Sequence, residues 1–231
     1  MSTASRYTVV LCALLGSSPG AIPAQQRACA PLDSTAAWAR VNRAWSNESG
    51  LHWTNDSLRQ VLVALEDRDQ SARESFGAQA TDTAYGRRLL ALDSTLAESM
   101  RLILDRFGLP TRAMVGAKGS DAAMLIVQHN ADLQAPVLAM AKAAPPGQIS
   151  PQALAMLEDR LLVHEGKPQR YGTQFTLAPD GLFRFAPTAG VDRLEARRAK
   201  AGLPPFAQYV CMMEESGLRI DHSSLPRLRR P

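Results

Sequence analysis

The sequence predicts a mainly α chain: a single-domain helical bundle of about six helices with one β-hairpin near residues 170–186. Three observations predict it. Apolar residues recur at helical spacing, most clearly Leu96, Met100, Ile103 and Phe107, at intervals of four, three and four. Glycine followed within two residues by proline ends these segments at Gly108–Pro110, Gly166–Pro168 and Gly202–Pro204. Strict alternation is confined to the stretch around Ala178-Pro179-Asp180-Gly181, whose Pro-Asp-Gly favours a type I turn closed by a glycine bulge.

The first 24 of the 231 residues are set apart. Arg6, an apolar run from Tyr7 to Leu15 and small residues up to Ala24 follow the order of a secretory signal peptide, with cleavage expected after Ala24. The run is too short to cross a bilayer, which takes ~20 residues. Residues 25–55 read as an N-terminal arm with a helix beginning at Asp33 or Ser34. Residues 56–215 read as the helical domain with its hairpin, and 216–231 as a basic, disordered tail. Two cysteines outside the leader, Cys29 and Cys211, are expected to pair in an exported protein, joining the arm to the last helix.

Within the domain, a second helix follows Thr54-Asn55-Asp56-Ser57, with Leu58, Val61, Leu62 and Leu65 on one face. Residues 78–86 read as a loop, and a third helix is expected over about Ala91 to Phe107. A fourth starts near Ser120 and is apolar on all sides from Ala122 to Val127, the pattern of a buried helix. A looser segment over 134–144 leads to Ser150, which can cap a fifth helix with Pro151 at its first position. In the hairpin, Tyr171, Thr173, Phe175 and Leu177 are expected on one face and Gly172, Gln174 and Thr176 on the other. A helical pair across Gly202-Leu203-Pro204 closes the domain.

Charge disfavours a nucleic-acid partner. The formal charge is +4, which Arg6 in the leader and a net +3 in the tail account for, leaving residues 25–215 neutral. Familiar motifs fail as well. Lys118-Gly119-Ser120 has the wrong order for a phosphate loop, although a helix start there can hold an anion. No HExxH or GxSxG stands in the chain, so no cofactor and no metal site is expected. What remains is Gln128-His129-Asn130-Ala131-Asp132. His129 and Asp132 are three apart on one helical face, which suits a general base and the carboxylate that orients it. Arg160, mid-helix, has the fork to hold an anionic group.

The stretches 108–132, 159–175 and 195–210 together resemble an uncharacterised bacterial family, number 6624 of the domains of unknown function. The resemblance rests on Gly108 to Thr111, Gln128 to Asp132, Asp159 to Gln174 and Arg197 to Pro205, and extends over about residues 56–213. Glu66 to Arg73 looks like the family's upstream acidic helix, whereas Met124 and Asn130 depart from the pattern. The resemblance implies a shared fold and carries no activity. It does imply that Gln128, His129, Gln169, Tyr171 and Gln174 form one polar network, since packing alone does not require them. Two functions follow as expectations. One is an exported, cofactor-independent hydrolase or lyase with His129 as base, Asp132 as orienter, Arg160 on an anionic group, and Tyr171 and Gln174 positioning substrate. The other is a non-catalytic module that binds a small molecule, glycan or peptide, in which the same residues are structural.

Overall fold

The computed structural model describes residues 29–74, 79 and 82–227, so the expected leader lies outside the described residues. Among the described residues eight α-helices run in order: α1 (Ala37–Ser46), α2 (Asp56–Arg73), α3 (Thr83–Phe107), α4 (Arg112–Gln128), α5 (Ala131–Ala143), α6 (Pro151–His164), α7 (Leu194–Lys200) and α8 (Phe206–Glu215). Between α6 and α7 lies an antiparallel hairpin, β1 (Phe175–Leu177) and β2 (Phe183–Phe185). The mainly helical fold with a two-stranded hairpin is the one expected.

The all-apolar helix forms the centre. Met124, Ile126 and Val127 of α4 are fully buried against Leu62 of α2, Met100 of α3, Val137 of α5 and Leu157 of α6. The third helix begins at Thr83, well before Ala91, because Asp82 caps it: its carboxylate accepts the N–H groups of Ala84 and Tyr85 at 2.7 and 3.2 Å. Tyr85, expected in a loop, is therefore a buried helical residue. Phe107 and Val61, expected on apolar faces, are exposed.

Helix α4 also starts early, at Arg112, and bends at Gly116, whose φ of 72° is left-handed. The segment after the bend opens on the Glu48 carboxylate, which accepts the Ala117 N–H at 2.5 Å and is itself held by the Arg59 guanidinium at 3.1 Å. The helix start near Lys118 is thus filled by an anion of the chain itself. Residues 134–143, expected as part of a looser segment, belong to the regular helix α5, which runs on despite Pro136. Ser150 caps α6 as expected, accepting the Ala153 N–H at 3.3 Å.

The hairpin is shorter than its alternation suggests. Phe175 pairs with Phe185 and Leu177 with Phe183, and Gly181 takes φ 77° in the turn. Residues 171–174 lie outside the strand. The hairpin and α8 share a second core, in which Phe175, Phe183 and Phe185 pack on Phe206 and Val210. The tail is anchored on the hairpin over its described part, although residues such as Arg219 and His222 are exposed. Phe183 donates its N–H to the Arg219 carbonyl at 2.8 Å and accepts the Asp221 N–H at 2.9 Å, while Leu218 and Ile220 are buried in the second core. An edge strand offers unpaired N–H and C=O groups, and the tail fills them. Cys29 and Cys211 are joined, with sulfurs 2.03 Å and Cα atoms 5.7 Å apart.

Candidate functional site

Two buried polar knots flank α6, and they separate residues that the sequence groups together. The first is built on Asp159, which is fully buried. One carboxylate oxygen accepts the N–H groups of Arg170 and Tyr171 at 2.6 and 3.0 Å. The other accepts the N–H and hydroxyl of Thr173 at 3.1 and 2.9 Å. Burial pushes this carboxyl above its ordinary range, against the pull of those donors.

On the opposite side of the same loop stands Arg198, also fully buried. It donates to the carbonyls of Tyr171 and Pro204 at 2.6 and 2.8 Å, and lies over the rings of Phe206 and Tyr209. Burial lowers its pKa to about 10. The loop 170–174 is therefore pinned between an anion that collects its N–H groups and a cation that collects carbonyls. Gln169 completes the clamp. Its Oε1 accepts the Gln174 N–H at 2.7 Å, and its Nε2 donates to the carbonyls of Gln174 and Ala186 at 3.0 and 2.8 Å. The Gln174 amide donates to the Thr173 hydroxyl at 3.0 Å.

The second knot holds His129, which terminates α4 as its C-cap. Its Nδ1 lies 3.0 Å from Oδ1 of Asp69, a fully buried carboxylate that also accepts Arg73 Nε at 3.0 Å. Arg73 reaches on to Asp93. Burial pushes the Asp69 carboxyl up, but the His129 N–H and Arg73 outweigh it and hold it below its ordinary range. Burial lowers the imidazole pKa below 6.5, with Asp69 opposing. An ionised carboxylate only accepts, so a neutral His129 carries its hydrogen on Nδ1 and its lone pair on Nε2. That Nε2 is buried with no hydrogen-bond partner among the described residues.

Asp132 is not part of this knot. The helix ends at Gln128 and the chain turns, which destroys the three-residue helical relationship. Asp132 lies in the first turn of α5, 86% exposed and 3.5 Å from Arg101. The partner of His129 is instead Asp69, sixty residues earlier. Gln128 is buried, and its carbonyl accepts Gln134 Nε2 at 3.0 Å. Arg160 is buried rather than open to an external anion, and its charge helps to depress His129. The backbone of Tyr171 and the amide of Gln174 belong to the Asp159 knot, while the Tyr171 hydroxyl pairs with Glu158, so the single expected network is divided.

Asp69, Asp93 and His129 bring ligand atoms within 4.8 Å of one another, a set the sequence reading missed. Arg73 pairs with both carboxylates, so a divalent ion there would have to displace a guanidinium. Asp159 and Arg198 were equally unnominated as organisers of the loop. Their signal is a charge at helical spacing from apolar core positions, as Arg198 stands four residues after Leu194, since such buried charges are retained only with partners.

These features define a helical domain with a hairpin, stabilised around two internal charge knots. The chain belongs to a family of unknown function, DUF6624, which is matched over residues 56–221. No curated protein and no solved structure matches the chain. No described helix is long and apolar enough to cross a membrane.

Proposed function

We propose that this chain is an exported, non-catalytic binding module whose motif residues build and rigidify a surface. One observation carries the reading: the side chains of His129, Gln169 and Gln174 are committed inward. Gln169 and Gln174 hold the backbone of their own loop, and the His129 side chain is 4% exposed beside a carboxylate of 0% exposure. A general base must come within hydrogen-bond reach of the proton it removes, and a closed imidazole offers no such approach. The leader-like first 24 residues and the Cys29–Cys211 bond support export, because disulfides persist in oxidising compartments.

A hydrolase or lyase centred on His129 has one observation in its favour, an Asp-oriented imidazole whose Nε2 has no partner among the described residues. Imidazole NMR across pH distinguishes the two readings. In a module, His129 stays in the neutral Nδ1–H form at pH 6.5 and above, and Asp159→Asn or Gln174→Ala lowers stability by about 2–5 kcal/mol. An imidazole that titrates near neutrality and shifts with added ligand overturns the module reading.

A further inference from the structure

The Asp159 knot has an outer face. There, between α6 and α7, lies an open groove of about 420 Å³. Among the described residues Lys142, Arg170, Arg197 and Lys200 line it, against Glu158 as its one acid. The body of the chain is neutral over residues 25–215, so four cations around one groove are a local concentration rather than a general basicity. Glu158 pairs with Lys142 and Arg170, each at 3.2 Å, and so offsets one positive charge. Three remain.

Two of these cations are held in place by the architecture. The N–H of Arg170 is anchored on Asp159 at 2.6 Å. Arg197 donates from Nε to the Arg170 carbonyl at 2.9 Å, and from Nη2 to the carbonyls of Ala189 and Gly190 at 2.6 and 2.9 Å. Carbonyl oxygens orient a guanidinium without cancelling its charge, so Arg197 stays a fixed positive centre. The groove also has an apolar side, formed by Leu154, Ala155 and Ala201 beside the half-buried Tyr171 ring. Charges set against low-dielectric walls focus their field into a cleft.

We infer that this groove binds a small organic anion, a phosphate or carboxylate carried on an apolar body. The anionic group meets Arg170, Arg197 and Lys200, and the apolar body lies along Leu154, Tyr171 and Ala201. The inference rests on the module reading and names its ligand class. It also gives the buried motif a purpose: Asp159 and Arg198 set the loop that carries Arg170 and Tyr171, as buried supports preorganise a surface site.

The test is calorimetric titration of the mature protein with phenyl phosphate, phenylacetate and inorganic phosphate, at low and at physiological salt. Saturable binding of phenyl phosphate or phenylacetate, tighter than inorganic phosphate and weakened by salt, is expected. Arg170→Gln with Lys200→Gln should weaken it about tenfold or more without changing the unfolding temperature. Glu158→Gln should strengthen it severalfold, and Lys167→Gln, outside the groove, should leave it unchanged. Absence of saturable binding to all three anions overturns the inference, as does binding that ignores the double substitution. Adsorption to phosphatidylglycerol vesicles without phenyl phosphate binding overturns it too, because the site would then be a membrane surface. If the groove fails while His129 remains neutral and untitrating, the module reading stands and only this site falls.

Discussion

Asp121 shows how much a single buried carboxyl can govern. It sits on α4, where it accepts Trp45 Nε1–H at 2.7 Å. Burial, reinforced by Glu66 and Glu48, raises its pKa from 3.8 to about 7 against that hydrogen bond. Above pH 3.8 the unfolded carboxyl ionises while the folded one keeps its proton, so folding becomes less favourable up to about pH 7 and loses nothing further beyond it. Asp121→Asn keeps the acceptor for Trp45 and removes the titration. Its stability relative to the parent should rise from about pH 4 to pH 7 and then level off, by roughly 4 kcal/mol at most. Urea unfolding across that range checks the sign; a constant difference would mean that Asp121 does not titrate in this window. His129 acts in the opposite sense. Its depressed pKa means that below pH 6.5 the unfolded chain takes up a proton that the folded state resists, so this contribution declines on acidification.

Gly172 decides the shape of an element. Its φ is +67°, and an added Cβ would lie 2.9 Å from the Phe206 ring. Gly181 in the hairpin turn has a similar φ of +77°, with open space around it. Gly172→Ala should therefore cost more than Gly181→Ala, about 2–4 kcal/mol against about 1 kcal/mol, as read by denaturant unfolding. Equal costs would show that the close approach to Phe206 relaxes freely. At this scale much was legible: the buried stripe of Leu96, Met100 and Ile103, the Ser150 cap and the Pro-Asp-Gly turn all depend on neighbours within a few residues. The misreadings have local causes too. Asp82 stands in a polar stretch that reads as a loop, yet it is an N-cap, and Tyr85 is therefore helical. Alternation from Tyr171 to Gln174 mimics a strand, but Asp159 and Arg198 bind the backbone groups that a strand would offer a partner.

Across the whole molecule, the N-terminal arm and the described tail are tied to the domain by different means. The Cys29–Cys211 bond spans 182 residues of sequence, and beside it Gln208 donates to the Ala30 carbonyl at 2.9 Å. Cross-linking so long a loop chiefly restricts the unfolded chain. Cys29→Ala with Cys211→Ala should lower stability by about 2–5 kcal/mol while the helical circular dichroism persists. Unchanged unfolding with and without reductant would remove the bond as a stabilising element. The tail, read as solvated from its basic residues, is held by Leu218, Ile220 and the exposed edge of β2, none of which its charge reveals. The sequence by itself determined the mainly helical class, the Ser150 cap, the glycine stops and the hairpin turn, because capping, turn chemistry and apolar spacing act over one or two turns of chain. Only the tertiary structure decided which charges meet. His129 finds Asp69 rather than Asp132, Asp159 gathers a loop eleven to fourteen residues away, and Arg198 closes that loop from twenty-seven residues downstream. A buried charge must find compensating partners, and those partners are chosen by how helices pack.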